Sequence, residues 1–256
     1  MMKQQLKVVY HPLYEEDYPT ASVEMPNRVA VIRDELKGDC EFVTPHAATE
    51  EDILMVHTRP LLEEVKRDPL LFTVASMAAG GAIHAAQLSC EGIPSFGLIR
   101  PPGHHASPGS HWGFCFFNNM AIAVERLISE GTLERVLILD IDLHFGDGTD
   151  NFFQGRSDVV VANIQEEDRT AFLEKVAETL ESDSFDLIAI SAGFDRYRLD
   201  WGGTLETADY RVIGEMVAKK AVSVCQGRRF AILEGGYYLP HLGKNARSLI
   251  EGLAVA

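Results

Sequence analysis

The sequence predicts a single α/β domain over residues 1–256, three layers deep, with a mostly parallel sheet between helices on both faces. Three observations predict it. Short β-branched or apolar runs alternate with amphipathic stretches along the whole chain, as in βαβ units. The run Val136-Leu137-Ile138-Leu139 is too apolar for a strand with one face in water, so its sheet is covered on both sides. Polar residues gather just past the ends of four runs, where ligand crevices of open α/β sheets lie. No linker, repeat or low-complexity segment divides the chain.

Taken in order, residues 6–11 (LKVVYH) read as a strand, followed by a proline-punctuated loop. Asn27 is the expected N-cap of a helix with the apolar stripe Val29, Ile32 and Leu36. Residues 40–44 read as a strand, Thr49 and Asp52 as a capping-box start, and Pro60 as a helical first position. The alanine-rich run 73–90, with Gly80-Gly81 inside it, predicts a buried, closely packed helix in which His84 is a core histidine. Residues 93–99 are a strand leading into Arg100-Pro101-Pro102-Gly103-His104-His105, which two prolines hold out of regular structure. A helix over 118–130 follows, then the strand from Val136 and a short helix near 150–153. Strands at 158–164, 186–192 and 230–233 alternate with helices at 169–180, 206–225 and 240–253.

Composition narrows the partners. The chain is 46% hydrophobic and 24% charged, which is globular. A formal charge of −15 argues against nucleic acid and suits a substrate that is cationic after reaction. Cys40, Cys90, Cys115 and Cys225 form no C-x-x-C pair and read as reduced thiols. The N-terminus lacks an apolar leader core, and no run approaches 18 apolar residues. A cytoplasmic protein without a membrane partner is expected, with homo-oligomerisation left open.

The segment 136–149, VLILDIDLHFGDGT, carries the chemistry. Residues i, i+2 and i+4 of a strand share a face, so Asp140, Asp142 and His144 are expected to line up. Burying them costs several kcal/mol unless they pair or bind a cation. One imidazole and two carboxylates, from Asp142, His144 and Asp195, would hold zinc and leave a position open. Such a borderline ligand set accepts zinc or iron(II). Read alone, Asp195 serves equally well as a helix cap. His104 and His105 suit an acid–base pair, each needing a carboxylate on its far nitrogen, and Asp140 and Asp147 are near enough. Tyr237, after Gly235-Gly236, suits an oxyanion donor, although Tyr237 and Tyr238 in isolation read as packing residues.

RPPGHHA (100–106), GFCFFNN (113–119), DIDLHFGDGT (140–149), SAGFD (191–195) and LEGGYY (233–238) together resemble the zinc-dependent histone deacetylase family, which includes acetylpolyamine amidohydrolases. The motifs stand in that family's order between about residues 93 and 240. The resemblance implies an arginase–deacetylase fold and one Zn2+ on Asp142, His144 and Asp195. It implies His104 backed by Asp140, His105 backed by Asp147, and Tyr237 as the transition-state tyrosine. It also implies a K+ ion on main-chain oxygens around Asp140, Asp142 and His144, and Gly113 and Phe114 on the acyl tunnel. The implied reaction is hydrolysis of an N-acetyl amide, of acetyllysine or of acetylated polyamines and other small amides, with a slight lean to small amides.

The chain departs from that pattern after Ile164, where Gln165 passes at once into EEDRTAFLEK in place of a long loop. The loop's aromatic wall is therefore missing, and a wider, shallower site is expected. Asn163 stands where the family commonly has serine, and Leu199-Asp200-Trp201-Gly202 replaces Gly-Asp-Pro, placing Trp201 at the rim. An arginase-type ureohydrolase is the enzymatic rival, but it leaves His104, His105 and Tyr237 unexplained. A non-catalytic acyl-amine binding module is the other, and its signature would be the loss of one of these residues.

Overall fold

The computed structural model describes residues 6–181 and 184–255. Residues 1–5, on which the expectation of no leader partly rests, lie outside the described residues, as do 182, 183 and 256 of the predicted domain. Among the described residues the strands are β1 (Lys7–Val9), β2 (Glu41–Val43), β3 (Ser95–Gly97), β4 (Val136–Asp140), β5 (Val159–Asn163), β6 (Leu187–Ala192) and β7 (Arg229–Leu233). They form one sheet in the order β2-β1-β3-β7-β6-β4-β5, and every pairing is parallel. All residues of β4, β6 and β7 are buried, so both faces of the sheet are covered, as their unbroken apolar sequences require.

The helices are α1 (Asn27–Leu36), α2 (Glu50–Leu54), α3 (Arg59–Val65), α4 (Pro69–Cys90), α5 (Asn119–Ser129), α6 (Asp147–Phe153), α7 (Arg169–Glu181), α8 (Thr207–Val224) and α9 (Leu239–Leu253). Helix α4 packs on β1, β3, β7 and α5, whereas α8 packs on β6, β7 and α9. By length and composition α4 could cross a membrane, although Thr73, Ser76, His84 and Gln87 interrupt its apolar run. Its contacts explain that composition, because it is the central helix of the core. A Cβ on Gly80 would lie 1.9 Å from the His46 carbonyl oxygen, so the predicted close packing is real. His84, expected in the core, is instead half-buried beside a groove of about 240 Å3 lined also by His46, Asp52 and Arg126.

Several boundaries move for local reasons. Pro26, not Asn27, occupies the N-cap of α1, and no side chain caps that end. Helix α4 begins at Pro69 because the Asp68 carboxylate accepts the Leu71 N–H, four residues before the expected start. Helix α6 begins at Asp147, which places that carboxylate in a first turn rather than in a loop.

Candidate active site

Strands β3, β7, β6 and β4 are consecutive neighbours in the sheet, and each ends in a piece of the site. His104 and His105 follow β3, Glu234 and Tyr237 follow β7, Asp195 follows β6, and Asp142 and His144 follow β4. Four parallel strands thus deliver their polar termini to one edge.

The expected strand face of Asp140, Asp142 and His144 is corrected. Strand β4 stops at Asp140, and the chain then bends. The Asp142 N–H donates to Asp140 Oδ1 at 3.0 Å, and the His144 N–H donates to Asp142 Oδ1 at 2.9 Å. Two successive aspartate turns, a local preference of this side chain, aim the three groups.

Asp142, His144 and Asp195 converge as expected, with one ligand atom from each inside a 4.8 Å span. His144 Nδ1 lies 3.3 Å from Asp142 Oδ1 and 3.1 Å from Asp195 Oδ2. The two carboxylates raise the His144 imidazole to about 10. Asp195 is fully buried, and its Oδ2 has no hydrogen bond of good geometry. Burial, then the Asp142 charge, pushes its carboxyl up to about 7. A divalent cation fits this set, since it would replace the shared proton and satisfy the orphaned oxygen. A second cluster of His104, Cys115 and Glu234 is also close, but its polar atoms are already engaged. Glu234 accepts the Gly103 N–H at 2.7 Å and the His104 N–H at 3.2 Å.

Both histidines have the carboxylates expected of them. His104 Nδ1 lies 3.0 Å from Asp140 Oδ2, and His105 Nδ1 lies 2.7 Å from Asp147 Oδ1. Burial alone would lower the His104 imidazole, but Asp142 and Asp140 carry it well above its ordinary value. Burial and the neighbouring His104 push His105 down to about 4, against the pull of Asp147. The two rings, 4.0 Å apart between centroids, are thus shifted in opposite directions.

Tyr237 lies across the pocket, edge-on to Phe114 at 5.8 Å between centroids. Burial raises its phenol, so the group is an O–H donor near neutral pH. Its N–H and that of Tyr238 donate to Asp200 Oδ2 at 2.6 and 2.7 Å. Trp201 stacks on the Tyr237 ring at 4.2 Å, and the buried Arg28 guanidinium stands 4.8 Å from its centroid. Gly113 has φ +64, and a Cβ there would lie 3.1 Å from His105 Cδ2, so glycine lets this wall approach the ring. The pocket, about 110 Å3, is lined by His104, His105, Trp112, Gly113, Phe114, Asp142, His144, Trp201 and Tyr237 among others.

The expected loss of an aromatic wall is corrected in part. The short segment after Gln165 supplies none, but Trp112 and Trp201 stand at the pocket instead, each 52% exposed. Trp112 was not anticipated. Its indole N–H donates to Asp147 Oδ2 at 2.9 Å, and its ring lies against His105 at 3.8 Å between centroids, tilted by 31°. Glu234, Asp200 and Arg28 were likewise assigned no role, although Glu234 is the one acidic residue inside LEGGYY.

The main-chain oxygens implied for a K+ ion are partly taken, for the Asp140 carbonyl accepts the Ile164 N–H at 3.0 Å. The Arg196 guanidinium already donates to the main-chain oxygens of Asp142 and Leu143, at 3.1 and 3.3 Å.

The histone deacetylase domain model matches residues 22–172 and 164–253. A probable deacetylase of Archaeoglobus fulgidus is 33% identical over 90% of this chain and 80% of its own length. A probable deacetylase of Methanothermobacter thermautotrophicus is 29% identical over 96% of this chain and 90% of its own length. The crystal structure of the HDA15 HD domain superposes with a TM-score of 0.84 at 23% identity, covering 96% of this chain and 88% of that one, which establishes the arginase–deacetylase fold. With the model matching most of its length, this chain belongs to the histone deacetylase family and is a hydrolase of the deacetylase class.

Proposed function

We propose that the chain is a zinc-dependent amidohydrolase that removes the acetyl group from an N-acetyl amine. The observation that carries this reading is the pair of adjacent histidines, each with a carboxylate on Nδ1 at 3.0 and 2.7 Å, beside the Asp142, His144 and Asp195 cluster. Zinc on those three residues would supply Lewis acidity toward the acetyl carbonyl and the attacking water. His105 donates from Nδ1 to Asp147, which leaves Nε2 as the acceptor of a water proton. Tyr237 donates its O–H to the oxygen on which negative charge develops. His104, charged between Asp140 and Asp142, returns a proton to the departing amine nitrogen. The amine leaves as a cation, which the −15 charge of the chain favours.

The small pocket and the missing loop after Gln165 favour small acetylated amines over long peptides, with acetyllysine as the second substrate class. Among the described residues no disulfide joins the four cysteines, which supports placing the enzyme in the cytoplasm. The test is amine release from acetyllysine peptides, acetylated polyamines and small N-acetyl amides, with Tyr237→Phe alongside. Turnover that falls about 10²–10³-fold in Tyr237→Phe is expected. Equal turnover in both proteins would remove Tyr237 from the mechanism, and none from wild type would favour a binding module.

A further inference from the structure

Arg196 is 2% exposed, and all four of its side-chain hydrogen bonds reach main-chain carbonyl oxygens. Nε donates to Asp142 at 3.1 Å, and one terminal nitrogen donates to Leu143 at 3.3 Å and Ile164 at 2.8 Å. The other donates to Glu166 at 3.2 Å. A cage of carbonyl oxygens is what a dehydrated monovalent cation requires. Here the cage already holds a positive charge, in a planar fork whose five N–H groups suit several oxygens at once.

The surroundings explain why a cation is needed. Asp140, Asp142 and Asp195 are buried within a few residues of the cage, and a divalent ion on Asp142 and Asp195 neutralises only part of that charge. The missing loop also bears on it. Because the chain turns directly from β5 into α7, the Ile164 and Glu166 carbonyls reach Arg196, and Phe172 lies 4.9 Å from the guanidinium carbon.

We propose that Arg196 permanently replaces the monovalent cation, holding the Asp142–His144 segment in register for the divalent metal without potassium. This rests on the metal-site reading above, but its test needs no turnover. Zinc affinity of wild type should agree within about twofold in potassium chloride and in N-methylglucamine chloride at equal ionic strength. Arg196→Ala should bind zinc about 10–100-fold more weakly, the scale for an outer-shell partner, and potassium or guanidinium ion should restore part of the loss. Crystals soaked in thallium(I), a heavy stand-in for potassium, should show no anomalous peak among the Asp142, Leu143 and Ile164 carbonyls of wild type. Arg196→Ala should show one.

A thallium peak in that cage in wild type, or a potassium requirement for wild-type zinc binding, overturns the proposal. An Arg196→Ala protein whose weakened zinc binding no monovalent cation relieves also overturns it, since the arginine would then act by packing alone. If that variant fails to fold, the wild-type thallium map and zinc titration still decide. A wild type that binds zinc without potassium yet cleaves no acetyl amide leaves this inference standing and removes the proposed function instead.

Discussion

His104 and Asp140 are sealed inside the molecule at 3% and 1% exposure, whereas Asp147, the partner of His105, leaves 37% of its side chain to solvent. Asp140 ends a central strand, and its second oxygen is held by the Asp142 N–H. Asp147 opens a surface helix, and its second oxygen is held by the Trp112 indole. The two pairs are chemically alike and adjacent, yet one imidazole is raised and the other lowered. His104 faces two buried carboxylates, while His105 faces one half-solvated carboxylate and a cationic neighbour. Environment, not residue type, separates the two rings.

Removing each carboxylate in turn should expose that difference. Asp140→Asn strips the buried charge from His104, and kcat should fall about 10³–10⁴-fold, at the upper end for acid–base catalysis. Stability should fall by about 3–5 kcal/mol, the cost of leaving a buried charge without its partner. Asp147→Asn should cost about 10² in kcat and less than about 1 kcal/mol in stability, because water solvates part of that site. Steady-state kinetics and urea unfolding of both variants measure this. Equal losses would mean that the two pairs are interchangeable.

A third histidine shows what a ring without any carboxylate does. His57 is 3% exposed, and its Nε2 accepts the Asn118 N–H at 2.8 Å while Nδ1 faces the Ser107 carbonyl at 3.1 Å. Burial lowers it from 6.5 to about 4. The unfolded chain therefore binds the extra proton between those values, so its contribution is complete above pH 6.5 and is lost as pH falls toward 4. That loss is at most about 3 kcal/mol, and His105 adds to it with the same sign. Asp195 and Glu234, whose carboxyls burial raises to about 7, act with the opposite sign in this window, so the test is the difference between two proteins. The unfolding free energy of wild type should fall relative to that of His57→Gln as pH drops from 6.5 to 4, and a difference that stays constant would contradict the lowered state of His57.

The sheet and the Asp142, His144 and Asp195 cluster were legible because their signals are local. Fully apolar runs mark β4, β6 and β7, and polar residues at their ends fall on one edge by topology alone. The path from Asp140 to His144 was not legible, since side chain–backbone turns end β4 at Asp140 where simple alternation would continue it. Arg196 was hidden for a different reason. Its partners are main-chain oxygens as far as 54 residues away in sequence, and a carbonyl carries no side-chain signature. Trp112 directly precedes the recognised GFC segment, but its role depends on where α6 begins, which the sequence placed at 150 rather than 147.

That indole offers the finest test of the contrast between the two pairs. If Asp147 needs Trp112 as Asp140 needs its backbone donor, Trp112→Phe should keep the ring against His105 yet free the second carboxylate oxygen. A kcat loss of about tenfold is expected, the worth of one hydrogen bond to a charged group, with KM little changed. Stability should move by less than about 0.5 kcal/mol at so exposed a position. In an Asp147→Asn background the same substitution should cost almost nothing further, because the two side chains act through one hydrogen bond. Additive losses, or an effect confined to KM, would instead make Trp112 a wall of the pocket that touches the substrate.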